Sequence, residues 1–294
     1  MQSSDIYAQV LGLKEAWSVS SVDLDARQEE VRVSIEVRQG ARLPCPECKT
    51  DCGVHDRRER KWRHLDTCEY RTVIIAQVPR VRCPEHGVRQ AAVPWGDPGS
   101  RFTSGFEAYA IGWLLEAPVA AVSRRLRISW DQVDGIMQRA VQRGLARRDD
   151  LAPRRIAVDE TSFKKRHEYV TVVTDVDTGA VRYVADNRRK ESLGDFFDQF
   201  DPSELIEIVA VSIWAQRSRL PHMVRAARMV SDHLYGILNA VVLGVTNGVA
   251  ESVNAKIQRV KRMACGFRNR ERFRNAIYFH LGGLDLMPSS HTKP

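Results

Sequence analysis

The hydrophobic and polar positions of this chain change period twice. Val31-Arg32-Val33-Ser34-Ile35-Glu36-Val37 alternates apolar and polar residues, as a strand with one buried face does, and Tyr70 to Val81 reads as a second strand. Beyond residue 100 the period moves close to 3.6. Ser104 with Glu107 forms a capping-box pattern opening a helix through about Glu116, and Pro118 suits the first turn of a second helix ending near Leu126. After the turn Arg127-Ile128-Ser129, a further capping box, Ser129 with Gln132, opens a third helix that carries Val133, Ile136, Met137, Ala140 and Val141 at core spacing. From Arg154 onward the pattern is α/β. Strands are expected at Ile156–Phe163, Tyr169–Asp175 and Val181–Asp186, then a helix at Ser192–Phe200 and a fourth strand at Ile206–Ser212.

These patterns divide the 294 residues into a small β-rich module at 1–98, a helical segment at 99–150 and an α/β segment at 151–294, the first closed by the Pro/Gly-rich linker Val93–Gly99. No apolar run approaches the roughly 18 residues needed to span a bilayer, so no membrane partner is expected. Met1-Gln2-Ser3-Ser4-Asp5 has no basic region leading into an apolar core, which points to a cytoplasmic protein whose six cysteines stay reduced. The net charge of +8 is unevenly spread, with 13 basic against 4 acidic residues in 214–294. Such a surplus is the footprint of a surface that tracks phosphates, the alternative being a merely solvated basic face.

Cysteine spacing adds chemistry to the first segment. Cys45-Pro46-Glu47-Cys48 and Cys83-Pro84-Glu85-His86 are two short-spaced ligand pairs separated by 34 residues. Together they supply the four ligands of a structural Zn²⁺ site; otherwise they would be buried thiols and a surface histidine. Cys52 and His55 lie near the first pair and could replace a ligand, while Cys68 and Cys265 are expected in the core. Between the pairs, Asp56 to Asp66 interleaves basic residues with Trp62, which suits a ribbon touching DNA backbone, with Trp62 either stacking or, as favoured here, packing on the module.

Gln132, Gln138, Arg139, Gln142 and Arg143 fall on the outside of the third helix. A short helix, a turn and a second helix with a polar, basic outer face match helix-turn-helix geometry, whose second helix enters a major groove; a three-helix packing unit without DNA contact is the alternative. Further on, Asp159 closes the apolar run Ile156-Ala157-Val158, and Glu251 lies in a helical pattern running into a basic stretch. Two carboxylates brought together can hold Mg²⁺ beside a phosphodiester. Lys164 and Lys165 after Asp159, Lys256, Arg259 and Arg262 at helical spacing, and Arg268 and Arg270 beyond them are the candidate phosphate contacts, whereas Arg188-Arg189-Lys190 reads as a solvated turn. Three strands, a helix and a returning strand open an RNase H-like sheet, in which the first and fourth strands lie side by side. The end of the fourth strand should then offer a second metal ligand, but Ser212 stands there; Asp198, Asp201 and Glu207 are the nearest acidic residues and are poorly aimed at Asp159.

Three stretches carry a resemblance: Trp62-Arg63-His64-Leu65-Asp66 with Pro79-Arg80-Val81-Arg82-Cys83-Pro84-Glu85-His86-Gly87-Val88-Arg89, Ile156-Ala157-Val158-Asp159-Glu160-Thr161, and the tail from Ala264-Cys265-Gly266-Phe267-Arg268-Asn269 through His280. The chain resembles the ISL3 family of bacterial insertion-sequence transposases over nearly its whole length. The resemblance implies a multidomain fold: a zinc-binding β-rich module, a helix-turn-helix domain and an RNase H-like DDE catalytic domain. It further implies Mg²⁺-dependent strand cleavage and transfer on double-stranded DNA, at terminal inverted repeats and target, by a chain that can form a homo-oligomer. Asp159 matches the family's first catalytic aspartate and Glu251 its glutamate. Where the family has its second aspartate this chain reads Val211-Ser212-Ile213-Trp214 and passes directly into Ala215-Gln216-Arg217-Ser218-Arg219-Leu220, which resembles a later part of the domain. An internal deletion near 211–215 is therefore expected, and with it a second reading, that of a catalytically inactive DNA-binding remnant.

Overall fold

A computed structural model describes residues 3–13, 16–148, 153–164, 168–186, 195–200, 207–211 (backbone) and 248–288. Contacts gather into two units, Met1–Gly112 with Met287–Pro294, and Trp113–Leu286. No helix among the described residues is long and apolar enough to cross a membrane.

The first unit contains α1 (Ser3–Val10) and the strands β1 (Trp17–Asp25), β2 (Glu30–Val37), β3 (Leu43–Pro44), β4 (Asp51–Thr67), β5 (Tyr70–Cys83) and β6 (Gly87–Gln90). They form one sheet of order β1-β2-β5-β4-β3, with β6 pairing β5. Strand β5 runs parallel to β2 and antiparallel to β4 and β6. The alternation read in β2 has the expected result: Val31, Val33 and Ile35 are buried, joined by Ile74, Ala76 and Val78 of β5. Trp62 is buried too, and it packs rather than projecting to stack on a partner. The Trp95 ring meets Trp62 edge-on at 5.4 Å and Trp17 at 5.0 Å. Trp95 lies in the Val93–Gly99 segment, so that stretch is fastened to the core and is no free tether.

Cys68 is not a core residue. It occupies the tight β4–β5 turn at φ 57° and is exposed, because a turn of that length needs a left-handed position and its side chain points to solvent. Cys265 meets the same fate after α5 (Gly248–Met263), at φ 53° and exposed.

Helix α2 (Ser104–Glu116) has the predicted range. Thr103 acts at its start, its Oγ1 accepting from Phe106 N at 3.3 Å, while Glu107 Oε1 accepts from the Ser100 hydroxyl at 2.8 Å. In the second unit, α3 (Val119–Leu126) has Pro118 at its N-cap, and α4 (Trp130–Arg147) opens with the full Ser129/Gln132 capping box. Val133, Ile136, Met137, Ala140 and Val141 are all buried.

Strands β7 (Arg155–Lys164), β8 (Glu168–Asp175), β9 (Val181–Ala185) and β10 (Glu207–Val211) form a mixed sheet of order β10-β7-β8-β9. The first and fourth lie side by side and parallel, as expected, with Val211 opposite Val158 as the last pair. Of the helix expected at Ser192–Phe200, residues 195–200 are described; Phe196 there is buried against Ile156 and Val173. Helix α5 packs on β7, and α6 (Arg270–Leu281) packs against α4, α5 and β9. Ser212, Asp201, Lys165, Arg188-Arg189-Lys190 and the stretch after 211 lie outside the described residues, as do the side chains of Lys164 and Glu207.

Candidate metal and nucleic-acid sites

Two hairpin ends build the first site. Cys45 follows β3, and its N–H donates to Thr50 O at 2.8 Å, closing a turn in which Lys49 takes φ 63°. Cys83 ends β5, and His86 sits in the turn before β6, where Gly87 at φ 67° pairs back with Cys83. Pairing of β4 with β5 sets these turns side by side. The ligand atoms of Cys45, Cys48, Cys83 and His86 lie within 4.8 Å of one another. Cys48 Sγ is 3.6 Å from Cys83 Sγ, and His86 Nδ1 lies 3.6 Å from Cys83 Sγ and 3.9 Å from Cys45 Sγ. A tetrahedron with arms of about 2.3 Å has edges of about 3.8 Å, so the donor set fits zinc in both chemistry and size.

His86 turns its other nitrogen, Nε2, to Glu47 Oε2 at 3.4 Å, and Arg89 Nε donates to Glu47 Oε1 at 2.5 Å. That chain fixes the ring so that Nδ1 faces the thiols. The Arg89 hydrogen bond also holds the Glu47 carboxyl below its ordinary pKa. Hydrogen bonds to Thr50 bring the Cys48 thiol down to about 6, whereas burial pushes Cys45 up. Cys52 and His55 stand apart from the cluster: the Cys52 thiol donates to Thr50 O, and His55 Nδ1 accepts from Arg82.

The second site lies where α5 crosses β7. Asp159 is the first β7 residue beyond the pairing with β10, at the carboxyl end of two parallel strands. Its Oδ1 accepts from Glu160 N at 2.8 Å and its Oδ2 from Asn254 Nδ2 at 3.2 Å. One turn further along α5, Gln258 Nε2 donates to Thr161 Oγ1 at 2.9 Å, and Lys261 Nζ then donates to Ser162 O at 2.8 Å. Burial lowers the Lys261 pKa. This polar row, at i, i+4 and i+7, borders an apolar stripe of Ala250, Val253, Ile257 and Val260 that is buried against the sheet. Sequence reasoning passed over Asn254, Gln258 and Lys261. Their signal was available, since on a helix of 3.6 residues per turn they share one flank beside the apolar stripe.

Glu251 is exposed in the first turn of α5, one turn before Asn254, the residue through which that helix reaches Asp159. A small crevice there is lined by Asp159, Thr161, Thr174, Asn254 and the apolar residues beneath them. Asn254 Oδ1 is buried and has no hydrogen-bond partner among the described residues. A buried orphan acceptor of this kind costs about 1–3 kcal/mol unless something satisfies it. An oxygen-preferring cation beside Asp159 fits the donors present. Asp198 is exposed on the described segment 195–200.

The basic side chains sort into two groups. On α5 and after it, Lys256, Arg259, Arg262 and Arg268 are exposed and have no acidic partner among the described residues. The arginines of α6 are engaged internally. Arg270 reaches Glu168 at 3.4 Å and Arg274 reaches Asp186 at 3.4 Å. Arg272 pairs with Asp131 and Asp134, each at 3.1 Å, and covers the Trp130 ring at 4.5 Å. On α4, Gln142 is exposed and Arg139 half-buried, but Gln138 donates to Asp134 at 2.9 Å and Arg143 to the Leu286 carbonyl at 3.0 Å.

Comparison with known proteins bears on these sites. Residues 42–86 match the family described as the zinc-finger of transposase IS204/IS1001/IS1096/IS1165. Residues 91–141 match the helix-turn-helix domain of transposase family ISL3, and residues 156–216 and 206–277 match its transposase family in two stretches. The transposase for insertion sequence element IS1557 of Mycobacterium tuberculosis is 32% identical over 220 residues, covering 72% of this chain and 49% of that one. The transposase for insertion sequence element IS1001 of Bordetella parapertussis is 28% identical over 171 residues, 58% of this chain and 42% of that one. The chain thus spans about half the length of the curated relatives it matches. No solved structure matches it. With zinc-finger, helix-turn-helix and transposase domains in that order along one chain, the protein belongs to the ISL3 transposase family.

Proposed function

We propose that the chain acts on double-stranded DNA as an ISL3-type transposase, binding terminal inverted repeats through its zinc module and helix-turn-helix and placing DNA against a Mg²⁺ site at Asp159 and Glu251. The observation that carries this reading is the seating of α5 on β7, which brings the helix of Glu251 to Asp159 through Asn254. Sheet order β10-β7-β8-β9, with β10 parallel to β7, supports an RNase H-like domain. Cys45, Cys48, Cys83 and His86 hold a structural Zn²⁺, supported by donor type and spacing. Mg²⁺, when bound, supplies an activated nucleophile and charge neutralisation at phosphorus. The chain's own part is to position: Glu160 N and Asn254 fix the Asp159 carboxylate, and Lys256, Arg259, Arg262 and Arg268 hold the phosphate backbone. We place the domain boundaries near residues 98 and 150.

A second reading is an inactive DNA-binding remnant with an internal deletion near 211–215. It is supported by the chain's half-length coverage of its relatives, by the two separate stretches that match the transposase family, and by Ser212 at the position of the second aspartate. One assay separates them: Mg²⁺-dependent cleavage of DNA carrying the element's terminal repeat, with Asp159→Ala as control and binding measured on the same DNA. Cleavage abolished in the control establishes the transposase. Binding without cleavage establishes the remnant, and neither binding nor cleavage overturns both.

A further inference from the structure

We propose that Asn254 is itself an oxygen ligand of the divalent cation at Asp159 and Glu251, a neutral donor added to two carboxylates. The inference rests on the metal-site reading above and goes beyond it by adding a third protein ligand. Its basis is the orientation of one amide. Asn254 Nδ2 donates to Asp159 Oδ2 at 3.2 Å. Turning the amide over would set its oxygen against a carboxylate oxygen, two acceptors face to face, so Asp159 dictates which end of the amide points away. The end that points away is Oδ1, buried and without a partner among the described residues. Buried acceptors are rarely left so, and the exceptions call for a ligand or an ordered water.

Asn254 and Asp159 both line the crevice at the helix–strand junction, and Glu251 lies one turn away on the same helix. Amide carbonyls are ordinary ligands for hard cations, and Mg²⁺ completes its shell with water where protein oxygens run out. Among the described residues, Asp159 and Glu251 belong to no cluster of three or more acidic, imidazole or thiol groups. Beside the Thr161 and Thr174 that also line the crevice, the amide oxygen is the buried acceptor without a hydrogen-bond partner among the described residues. Asn254 would then serve twice, orienting Asp159 with its nitrogen and binding metal with its oxygen.

Mn²⁺ is the probe, with binding followed by EPR and Mg²⁺ competition on the full chain. Asn254→Leu keeps the branching and the number of side-chain heavy atoms and removes the oxygen, and Asn254→Asp keeps an oxygen. We expect Asn254→Leu to weaken Mn²⁺ binding by about 10-fold or more and Asn254→Asp to retain it, with Asp159→Ala weakest of all. Asn254→Leu binding like wild type while Asp159→Ala fails overturns the role of Asn254 and leaves the carboxylate site standing. Asp159→Ala binding like wild type overturns the carboxylate site itself. Should the Leu variant not fold, the wild-type chain decides the matter. With asparagine side-chain carbonyls labelled with ¹³C, bound Mn²⁺ should show a ¹³C hyperfine coupling in pulsed EPR, and its absence at saturation, as with a bridging water, refutes the proposal.

Discussion

His64 Nδ1 lies 2.8 Å from Thr103 Oγ1, joining the end of strand β4 to the first turn of α2 inside the first unit. Both residues are buried, and the backbone around them is tied as well, with Thr103 N donating to Arg63 O at 3.0 Å. Burial, with Arg63 beside it, pushes the His64 pKa down to about 4.

A pH dependence follows from that depression. The unfolded chain takes up a proton on His64 near pH 6.5 and the folded chain only near 4, so stability is complete above about 6.5 and falls as pH drops through this window. The full effect is about 3 kcal/mol. Urea unfolding of wild type and His64→Gln at pH 7 and pH 4.5 should show a shallower pH dependence in the variant. Equal slopes would show that His64 does not titrate in this way.

Removal of metal should loosen the hairpin turns that carry Cys45, Cys48, Cys83 and His86. One Zn²⁺ per chain should be released by a strong chelator, and Cys83→Ser should retain none. Cys52→Ser and His55→Ala should leave the zinc content unchanged, since both side chains have other partners. Zinc analysis of the purified variants settles which four residues bind.

Gly144 lies on the buried face of α4, where an added Cβ would meet Leu284 Cβ at 2.7 Å and the Asp285 carbonyl oxygen at 3.2 Å. Although alanine favours helix, Gly144→Ala should destabilise by about 1–3 kcal/mol, because the close approach cannot be relieved by one flexible side chain. Thermal unfolding would show it, and a raised Tm would contradict the packing described.

Tyr278 accepts a hydrogen bond at its hydroxyl from Val184 N at 3.0 Å, satisfying a backbone donor of β9, the last strand of its sheet. Tyr278→Phe leaves that buried N–H without a partner and should cost about 1–2 kcal/mol. Hydrogen exchange at Val184 should accelerate in the variant while β7 stays protected.

The two groups of basic residues should behave differently. Replacing Lys256, Arg259 and Arg262 by Gln should leave stability nearly unchanged and reduce the slope of log K against log salt for DNA binding by about 3, roughly one per lost phosphate contact. Arg272→Met should instead destabilise the fold, because it strips the buried Asp134 of its charge partner, with little change in that slope. Salt titrations of DNA affinity alongside melting curves distinguish the groups.

Much of this was legible because local rules and tertiary packing agree. Strand β2 alternates and is half-buried, α4 carries its capping box, and doubled knuckles converge as their spacing requires. The rest was hidden for definable reasons. Pro and Gly on either side of Trp95 mark a linker by composition, yet the indole finds a slot between two others. Adjacent Thr103 and Ser104 are equally good caps, and tertiary contacts select the first. Cys68 and Cys265 are apolar by type, but their backbone positions are turns, and a turn residue points outward whatever its type. Asn254 escaped because an amide within a helix has no pattern of its own until the strand it faces is known.

The seating of α5 has a consequence for how this domain tolerates change. A helix resting only on Ala250, Val253, Ile257 and Val260 could slide along a sheet of valines and lose little. Three polar contacts at unequal intervals, to Asp159, Thr161 and Ser162, give it one position, as the teeth of a key do. Residues 250–261 and 156–163 supply these contacts, and α6 packs against the same helix. A shift of α5 by a single residue along β7 would therefore break all three contacts at once.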